Sequence, residues 1–225
     1  MGAITRGFAN NIGSAGRLAS GALNNTSLDN ITALPAAVKS DLVPIIGYGL
    51  GSDAAMEHVH GERSGVAVFD STYSAYCFKF VNIHPSDDNV EFQWNGSTNS
   101  GSSYNVTKTT TLFDSGHDEA ENYSASLAYD SGADLAQSTN HQRIARGVSN
   151  DSDHGVCGEL WIFNPSSTTF AKHFFSTVTA NDRNNFAYHT FSQGYLNTTS
   201  AVDGVTFRFN SGTLQSGNIR VYGLK

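Results

Sequence analysis

The chain has 225 residues and a net charge of −7, and 15% of its residues are charged. This length fits one well-buried domain with an extension. The 13 lysine and arginine residues form no cluster, so the chain lacks the basic surface that binds a phosphate backbone, which argues against nucleic acid as a partner. No apolar run approaches the ~20 residues that span a bilayer, which argues against membrane insertion.

Residues 1–44 are predicted to form an extended N-terminal arm that docks on a partner. Glycine, alanine, asparagine and serine dominate this stretch, and its apolar residues are scattered singly, so it cannot close a core of its own. Ile4, Phe8 and Ile12 recur at i, i+4 and i+8, which places them on one face of a short helix that docking would stabilise. The predicted partner-docking residues are Ile4, Arg6, Phe8, Ile12, Arg17 and Leu18.

Residues 45–225 are predicted to form one β-sandwich domain that begins with the strand Ile45–Tyr48. The apolar runs in this region are short and are bounded by clusters of glycine, asparagine, aspartate and serine, which is the pattern of strands. The run Tyr73–His84 is apolar on both faces, and we therefore expect it to be a central strand.

The next strand is the clearest one in the sequence. Val90–Trp94 alternates apolar and polar residues, which predicts a strand with Glu91 and Gln93 facing water. The Asn95-Gly96 dipeptide that follows is a strong turn signal, so we expect the strand to end there.

The second half of the chain continues the strand pattern with one interruption. Tyr104–Phe113 is rich in threonine and is predicted to be an edge strand, and the acidic residues of Gly116–Ala136 predict one short helix. Further strands are predicted at Gly155–Asn164, His173–Ala180, Phe186–Tyr195, Val202–Phe209 and Ile219–Leu224. Roughly nine or ten short strands predict an all-β fold, an antiparallel, jelly-roll-like β-sandwich with an extended arm.

No catalytic or metal-binding motif stands out, and we expect no enzymatic activity and no cofactor. His58 and His60 lie at i, i+2 and could share a metal on one face of a strand, but the sequence fixes no third ligand. Asp151 and Asp153 begin a loop that lacks the glutamate of a calcium site. The acidic stretch after Asp114 is explained by the first turn of a helix. We therefore predict no catalytic residue and no metal ligand.

The aromatic residues are the remaining candidates for ligand binding. Most of them are expected in the core, Trp161 above all because it lies in an apolar run. Tyr104 follows a loop rich in glycine and serine, and it is the one residue predicted to contact a ligand such as a sugar. Cys77 and Cys157 both lie in apolar runs, which favours free thiols, although a disulfide between them stays open.

Three segments carry a resemblance to a known group of proteins. Ser216–Lys225 reads SGNIRVYGLK, Gly158–Pro165 reads GELWIFNP, and Met1–Ile12 reads MGAITRGFANNI. The ending and the middle segment resemble virion structural proteins of tailed bacteriophages, especially marine phages, whose last strand reads approximately SGxIx(L/V)YG(I/L)K. The beginning resembles the N-terminal anchor of phage tail-fibre and appendage proteins. Residues 57–150 match nothing in this group.

The resemblance implies a non-enzymatic virion structural protein, made in the host cytoplasm and assembled into the particle. Its arm would dock on other virion subunits, and its sandwich would be displayed as a tail, tail-fibre or appendage component. Two alternatives stay open, a capsid decoration protein and a carbohydrate-binding adhesion module. The implied partners are other virion subunits, further copies of the same chain in a homo-oligomer such as a trimer, and a host-surface glycan.

Overall fold

The structure is a computed structural model that describes residues 41–122 and 124–225, leaving out the side chains of residues 124–126. Residues 41–225 form one compact unit. All six predicted docking residues of the arm lie outside the described residues: Ile4, Arg6, Phe8, Ile12, Arg17 and Leu18. The described part of the chain contains no helix of the length and hydropathy that crossing a membrane requires.

Strands account for all the regular secondary structure of the described residues. In chain order they are β1 (Leu42–Gly49), β2 (Met56–Val59), β3 (Ala75–Pro85), β4 (Val90–Ser97), β5 (Lys108–Asp118), β6 (Ser124–Tyr129), β7 (Gln142–Val148), β8 (Val156–Phe163), β9 (Lys172–Asn181), β10 (Phe186–Leu196), β11 (Gly204–Phe209) and β12 (Leu214–Leu224).

The strands form two antiparallel sheets. The larger sheet has eight strands in the order β1-β12-β3-β8-β9-β10-β5-β6, and the smaller sheet has four in the order β2-β11-β4-β7. Some sheet neighbours are consecutive in the chain, such as β8, β9 and β10, and others are distant, since β3 lies between β12 and β8. The sequence prediction of an antiparallel β-sandwich is confirmed.

The core lies between the two sheets, and aromatic rings connect one sheet to the other. Phe80 of the larger sheet contacts Phe92 and Phe207 of the smaller one at ring-centroid distances of 5.1 Å and 5.2 Å. Trp94 meets Phe174 in the same way, edge to face at 4.7 Å. Such aromatic pairs add to the free energy of burying their area, so the alternating inward residues of each strand hold the sheets together.

Two strand predictions are confirmed in detail. β3 is central, as expected from its two apolar faces. In β12, Ile219 and Val221 are buried while Arg220 is exposed, so the last strand of the chain alternates as its sequence predicts. β12 pairs with β1 on one side and with β3 on the other.

Three local predictions are wrong. The predicted helix within Gly116–Ala136 does not form, because β5 continues to Asp118 in register with β10, and β6 then pairs back on β5. β5 is therefore not an edge strand, since it lies between β10 and β6. Asn95 and Gly96 form no turn but continue β4, paired with Thr206 and Val205. In each case pairing with a distant strand overrides the local signal.

Candidate functional site

Aromatic side chains cover the outer side of the eight-stranded sheet, which faces away from the core. Phe175, Phe191 and Tyr129 are exposed to 39%, 38% and 47% of their surface. They belong to a set on strands β8, β9, β10, β5 and β6, which we call the aromatic face: Phe113, Tyr129, Trp161, Phe163, Phe175, Phe191 and Tyr195.

Strand register places these rings side by side. Phe113 is the cross-strand partner of both Phe191 and Tyr129, so one row continues over three strands. In the next row Trp161 pairs with Phe175, and their rings are nearly parallel with centroids 6.4 Å apart. Cross-strand neighbours on one face stand about 5 Å apart, so the register groups the rings in neighbouring rows of the sheet.

A carboxylate fixes the Trp161 indole in place. The indole N–H of Trp161 donates to Glu159 at 2.9 Å, and the Lys79 ammonium lies 3.1 Å from the other oxygen of the same carboxylate. Partial burial raises the pKa of Glu159, but the bonds from Trp161 and Lys79 outweigh it and leave that pKa below its ordinary value. The expectation that Trp161 lies in the core is wrong, because it is only partly buried and lies on the outer side of β8.

A second surface lies on the opposite side of the sandwich, over the outer side of the four-stranded sheet. It is an open depression of about 520 Å³, which we call the polar depression. Glu91 and Gln93 alternate along β4 with buried core residues, so they face the depression as the sequence predicts. The charged and hydrogen-bonding side chains around it are Glu91, Gln93, His141, Arg143, Arg208 and Asn210.

One wall of the polar depression is residues 132–141, which we call the wall segment. Three fully buried polar side chains fasten it. Asn95 donates to the carbonyl of Thr139 at 2.9 Å, and the Lys108 ammonium donates to the carbonyl of Asn140 at 2.6 Å. Gln142 donates to the carbonyl of Ala133 at 3.2 Å. The wall segment is therefore held to the sandwich by hydrogen bonds from three buried side chains.

The guanidinium of Arg143 is balanced by carboxylates. It lies 3.4 Å from Glu91 and 3.2 Å from Asp114, and it also contacts Asp130. Gln93 donates to the second oxygen of Glu91 at 2.9 Å. Glu91 and Arg143 therefore contribute little net charge to the polar depression.

Arg208 is the uncompensated charge of the polar depression. It is exposed, and no carboxylate of the described residues forms an ion pair with it. Burial, followed by the positive charges of Arg208 and Lys108, lowers the pKa of His141 to about 4. The imidazole is therefore neutral at pH 7.

Tyr104, the residue predicted to contact a ligand, lines the polar depression. Its backbone carbonyl accepts a 2.8 Å hydrogen bond from Asn95, the residue that also fastens the wall segment. Its hydroxyl oxygen is buried. Burial, followed by the negative charge of Glu57, raises the pKa of this hydroxyl.

His58 and His60 do not converge on a common point. His58 is fully buried, and its ring nitrogens lie 2.7 Å from the Tyr48 hydroxyl and 3.0 Å from the Val68 carbonyl. Burial is the main cause that lowers the pKa of His58 to about 4. His60 is exposed and accepts from the backbone of Phe69. Across residues 41–122 and 124–225 no three His, Cys, Asp or Glu side chains are grouped so as to hold a metal ion.

The two cysteines are free thiols, as their apolar sequence setting favours. Burial and the nearby carboxylate of Glu159 raise the pKa of Cys77 to about 12, so this thiol stays protonated at pH 7. A protonated, buried thiol is a poor nucleophile.

Sequence reasoning missed most of the polar depression. Its side chains include residues of β4, β7, β11 and the wall segment, and apart from the wall segment and β7 these parts are separated along the chain. Two signals were usable: the period-2 pattern of β4, which places Glu91 and Gln93 on the same polar face, and the glycine- and serine-rich loop before Tyr104. Comparison with protein-family models, curated protein sequences and solved structures finds no match to this chain.

Proposed function

We propose that this chain is a non-enzymatic structural subunit of a tailed-phage particle, displayed on the tail or its fibres and held there among further copies of itself. The observation that carries the proposal is the aromatic face, in which Phe175, Phe191 and Tyr129 on three strands of the larger sheet are exposed. Clustered exposed apolar side chains of this kind mark contact with another molecule. The resemblance of the arm and of the last strand to phage virion proteins supplies the setting.

The outer side of the five strands that carry the aromatic face is large enough to contact a second copy of the same sheet. Strand spacings of about 4.8 Å and a rise of about 3.4 Å per residue make five strands a surface roughly 20 Å by 30 Å. A standard protein interface buries about 800 Å² on each partner and is enriched in aromatic residues. Two sheet faces also pack well on each other, as they do inside a sandwich.

A paired substitution on the aromatic face tests this contact. Changing Phe175 and Phe191 to serine removes two rings that are already partly exposed, so the core stays intact. We expect the full chain to be an oligomer by sedimentation equilibrium, and the double variant to dissociate roughly tenfold more readily because interface anchors dominate binding free energy. The control is Val66→Ser, which changes an apolar residue that is 52% exposed in the loop between β2 and β3.

A wild-type chain that sediments as a monomer up to micromolar concentration contradicts the contact. So does a double variant that associates as strongly as the Val66→Ser control. Thermal unfolding of each variant distinguishes loss of association from loss of folding.

The location of the chain is tested on intact particles. We expect an antibody against residues 45–225 to label the tail of purified phage in electron micrographs. Labelling over the whole shell would instead assign the chain to capsid decoration, because shell proteins are present in far more copies than tail proteins. Purified particles without the chain would overturn the virion proposal.

A further inference from the structure

We propose that the polar depression binds an acidic glycan, a chain of sugar rings that carries a carboxylate or sulfate group. The site is on the opposite sheet from the aromatic face, so it stays accessible when that face is covered. The proposal does not rest on the virion assignment, because the geometry of the polar depression carries it alone.

The shape of the polar depression fits one or two sugar rings. Its volume of about 520 Å³ falls within the range of small-molecule sites, and it is open to solvent. An open depression lets a polymer enter sideways and leave at both ends, which a closed pocket does not. A glycan chain meets this requirement better than a small metabolite does.

The hydrogen-bonding groups around the polar depression match sugar hydroxyls. A hydroxyl donates one hydrogen bond and accepts others, so recognising several of them takes donors and acceptors in close alternation. The amides of Gln93 and Asn210 offer both kinds of group, and the neutral imidazole of His141 offers one of each. Tyr104 lines the same site.

Local charge selects an acidic sugar. The whole chain carries a net charge of −7, yet the charges around the polar depression leave Arg208 as an exposed cation without an ion pair among the described residues. A guanidinium binds carboxylate and sulfate oxygens through two parallel hydrogen bonds. An isolated cation on an acidic protein attracts an anionic group and does not attract a neutral sugar.

The rigidity of the wall supports a binding role. Three buried polar side chains, Asn95, Lys108 and Gln142, are used to fix the backbone of the wall segment. Burying a lysine costs free energy that an apolar residue in its place would not. A wall held this firmly loses little conformational entropy when a ligand binds, which is the advantage of a preorganised site.

The first experiment measures binding of the purified full chain to an array of bacterial polysaccharides. The array contains uronic-acid, sialic-acid, sulfated and neutral glycans, with each uronic-acid glycan also present after reduction of its carboxyl groups. We expect binding to acidic glycans that is lost on carboxyl reduction or desulfation and that weakens as salt is raised. Absence of binding to every glycan, or equal binding to acidic and reduced forms, overturns the proposal.

Point variants then locate the site with a glycan that binds on the array. Arg208→Ala is expected to weaken binding roughly tenfold, and Arg208→Lys to weaken it less because the charge stays while the paired hydrogen bonds are lost. The matched control is Arg220→Ala, which removes an exposed arginine from the other sheet. Equal weakening by Arg208→Ala and Arg220→Ala overturns the site, since it shows attraction by overall charge only.

Gln93→Ala tests the hydrogen-bonding part of the proposal without changing the charge. We expect it to weaken binding of the same glycan roughly threefold or more, because one neutral hydrogen bond contributes about 1 kcal/mol, which is about fivefold. The control is Gln215→Ala, an exposed glutamine at the start of β12 on the other sheet. Binding that is unchanged in Gln93→Ala contradicts this role of Gln93. All these measurements use the chain without the particle, so their failure leaves the virion proposal untouched.

Discussion

At the residue scale, a single aromatic ring leaves no space for a side chain at one glycine of β12. A Cβ atom placed on Gly223 would stand 2.2 Å from the Tyr73 ring, well inside van der Waals contact. Tyr73 in turn contacts Tyr76 edge to face at 5.7 Å, so it has neighbours on both sides. Close packing against Tyr73 therefore explains why this fold has a glycine at position 223.

We predict that Gly223→Ala lowers the free energy of unfolding by about 1–3 kcal/mol, the usual range for forcing an extra methyl group into a packed site. The matched control is Gly47→Ala, on the neighbouring strand β1, where a Cβ atom would meet nothing within 4 Å. Denaturant unfolding of both variants measures the difference. A Gly223→Ala protein as stable as the Gly47→Ala protein contradicts the packing argument.

The buried lysine behind the polar depression makes stability depend on pH. Burial lowers the pKa of Lys108 from 10.5 to about 7. Between pH 7 and 10 the unfolded chain therefore binds more protons at this lysine than the folded chain does, so the free energy of unfolding rises with pH. One titrating group changes it by at most about 1.4 kcal/mol per pH unit.

We predict that this rise between pH 7 and 10 is smaller in Lys108→Met, which cannot titrate. Denaturant unfolding at several pH values gives the slope for each protein. The control is Lys79→Met. The bond to Glu159 is the largest effect on the pKa of Lys79 and raises it. The contribution of Lys79 to the free energy of unfolding therefore stays constant between pH 7 and 10. Equal slopes in the wild type and Lys108→Met would contradict the effect of burial.

At the element scale, the last strand is the structural centre of one half of the larger sheet. β12 pairs along most of its length with β3 and also carries β1, the edge strand. Its inward residues Ile219 and Val221 are almost fully buried. Removing the strand would expose β3 and would leave β1 without a partner. A strand beside an unpaired edge is prone to aggregate.

We predict that deletion of residues 217–225 prevents formation of a stable folded protein. The matched control is Lys225→Ala, which changes the same terminus without removing a paired strand. Far-ultraviolet circular dichroism and the yield of non-aggregated protein measure the effect. A deletion variant that unfolds cooperatively at the wild-type temperature would show that the remaining sheet does not depend on β12.

At the scale of the whole molecule, the two sides of the sandwich differ in chemistry. One outer side carries aromatic rings and the other carries hydrogen-bonding and charged side chains. Under the two proposals, one side contacts neighbouring subunits and the other contacts a ligand. It is the basis for assigning separate roles to the aromatic face and to the polar depression.

We predict that phage made with a chain lacking residues 1–40 assemble without it, because the arm is proposed to attach the sandwich to the particle. This deletion leaves β1, which begins at Leu42, intact. Mass spectrometry of purified particles measures the incorporated chain. The control is Arg220→Ala in the full-length chain, which should be incorporated normally. Normal incorporation of the shortened chain, with its sandwich folded by circular dichroism, would contradict the docking role of the arm.

Local sequence patterns predicted much of the fold but little of the candidate site. Period-2 alternation identified β4 and β12, because neighbouring side chains of a strand always face opposite ways. The same reasoning wrongly predicted that Trp161 lies in the core, because a rule based on apolar residues treats every apolar face of a strand as a core face. Hydrophobicity alone cannot distinguish a ring that packs against the second sheet from one that faces outward.

The amino-acid pattern alone was enough to predict that residues 45–225 form an antiparallel β-sandwich, because strand alternation is a property of neighbouring residues. The three-dimensional packing was needed to show that β12 lies between β1 and β3 and that Arg208 lies near Gln93 and His141. The order of the strands, and the distances between side chains on different strands, depend on contacts between residues far apart in the chain. Those contacts are set by how all the strands pack together, and no short segment contains them.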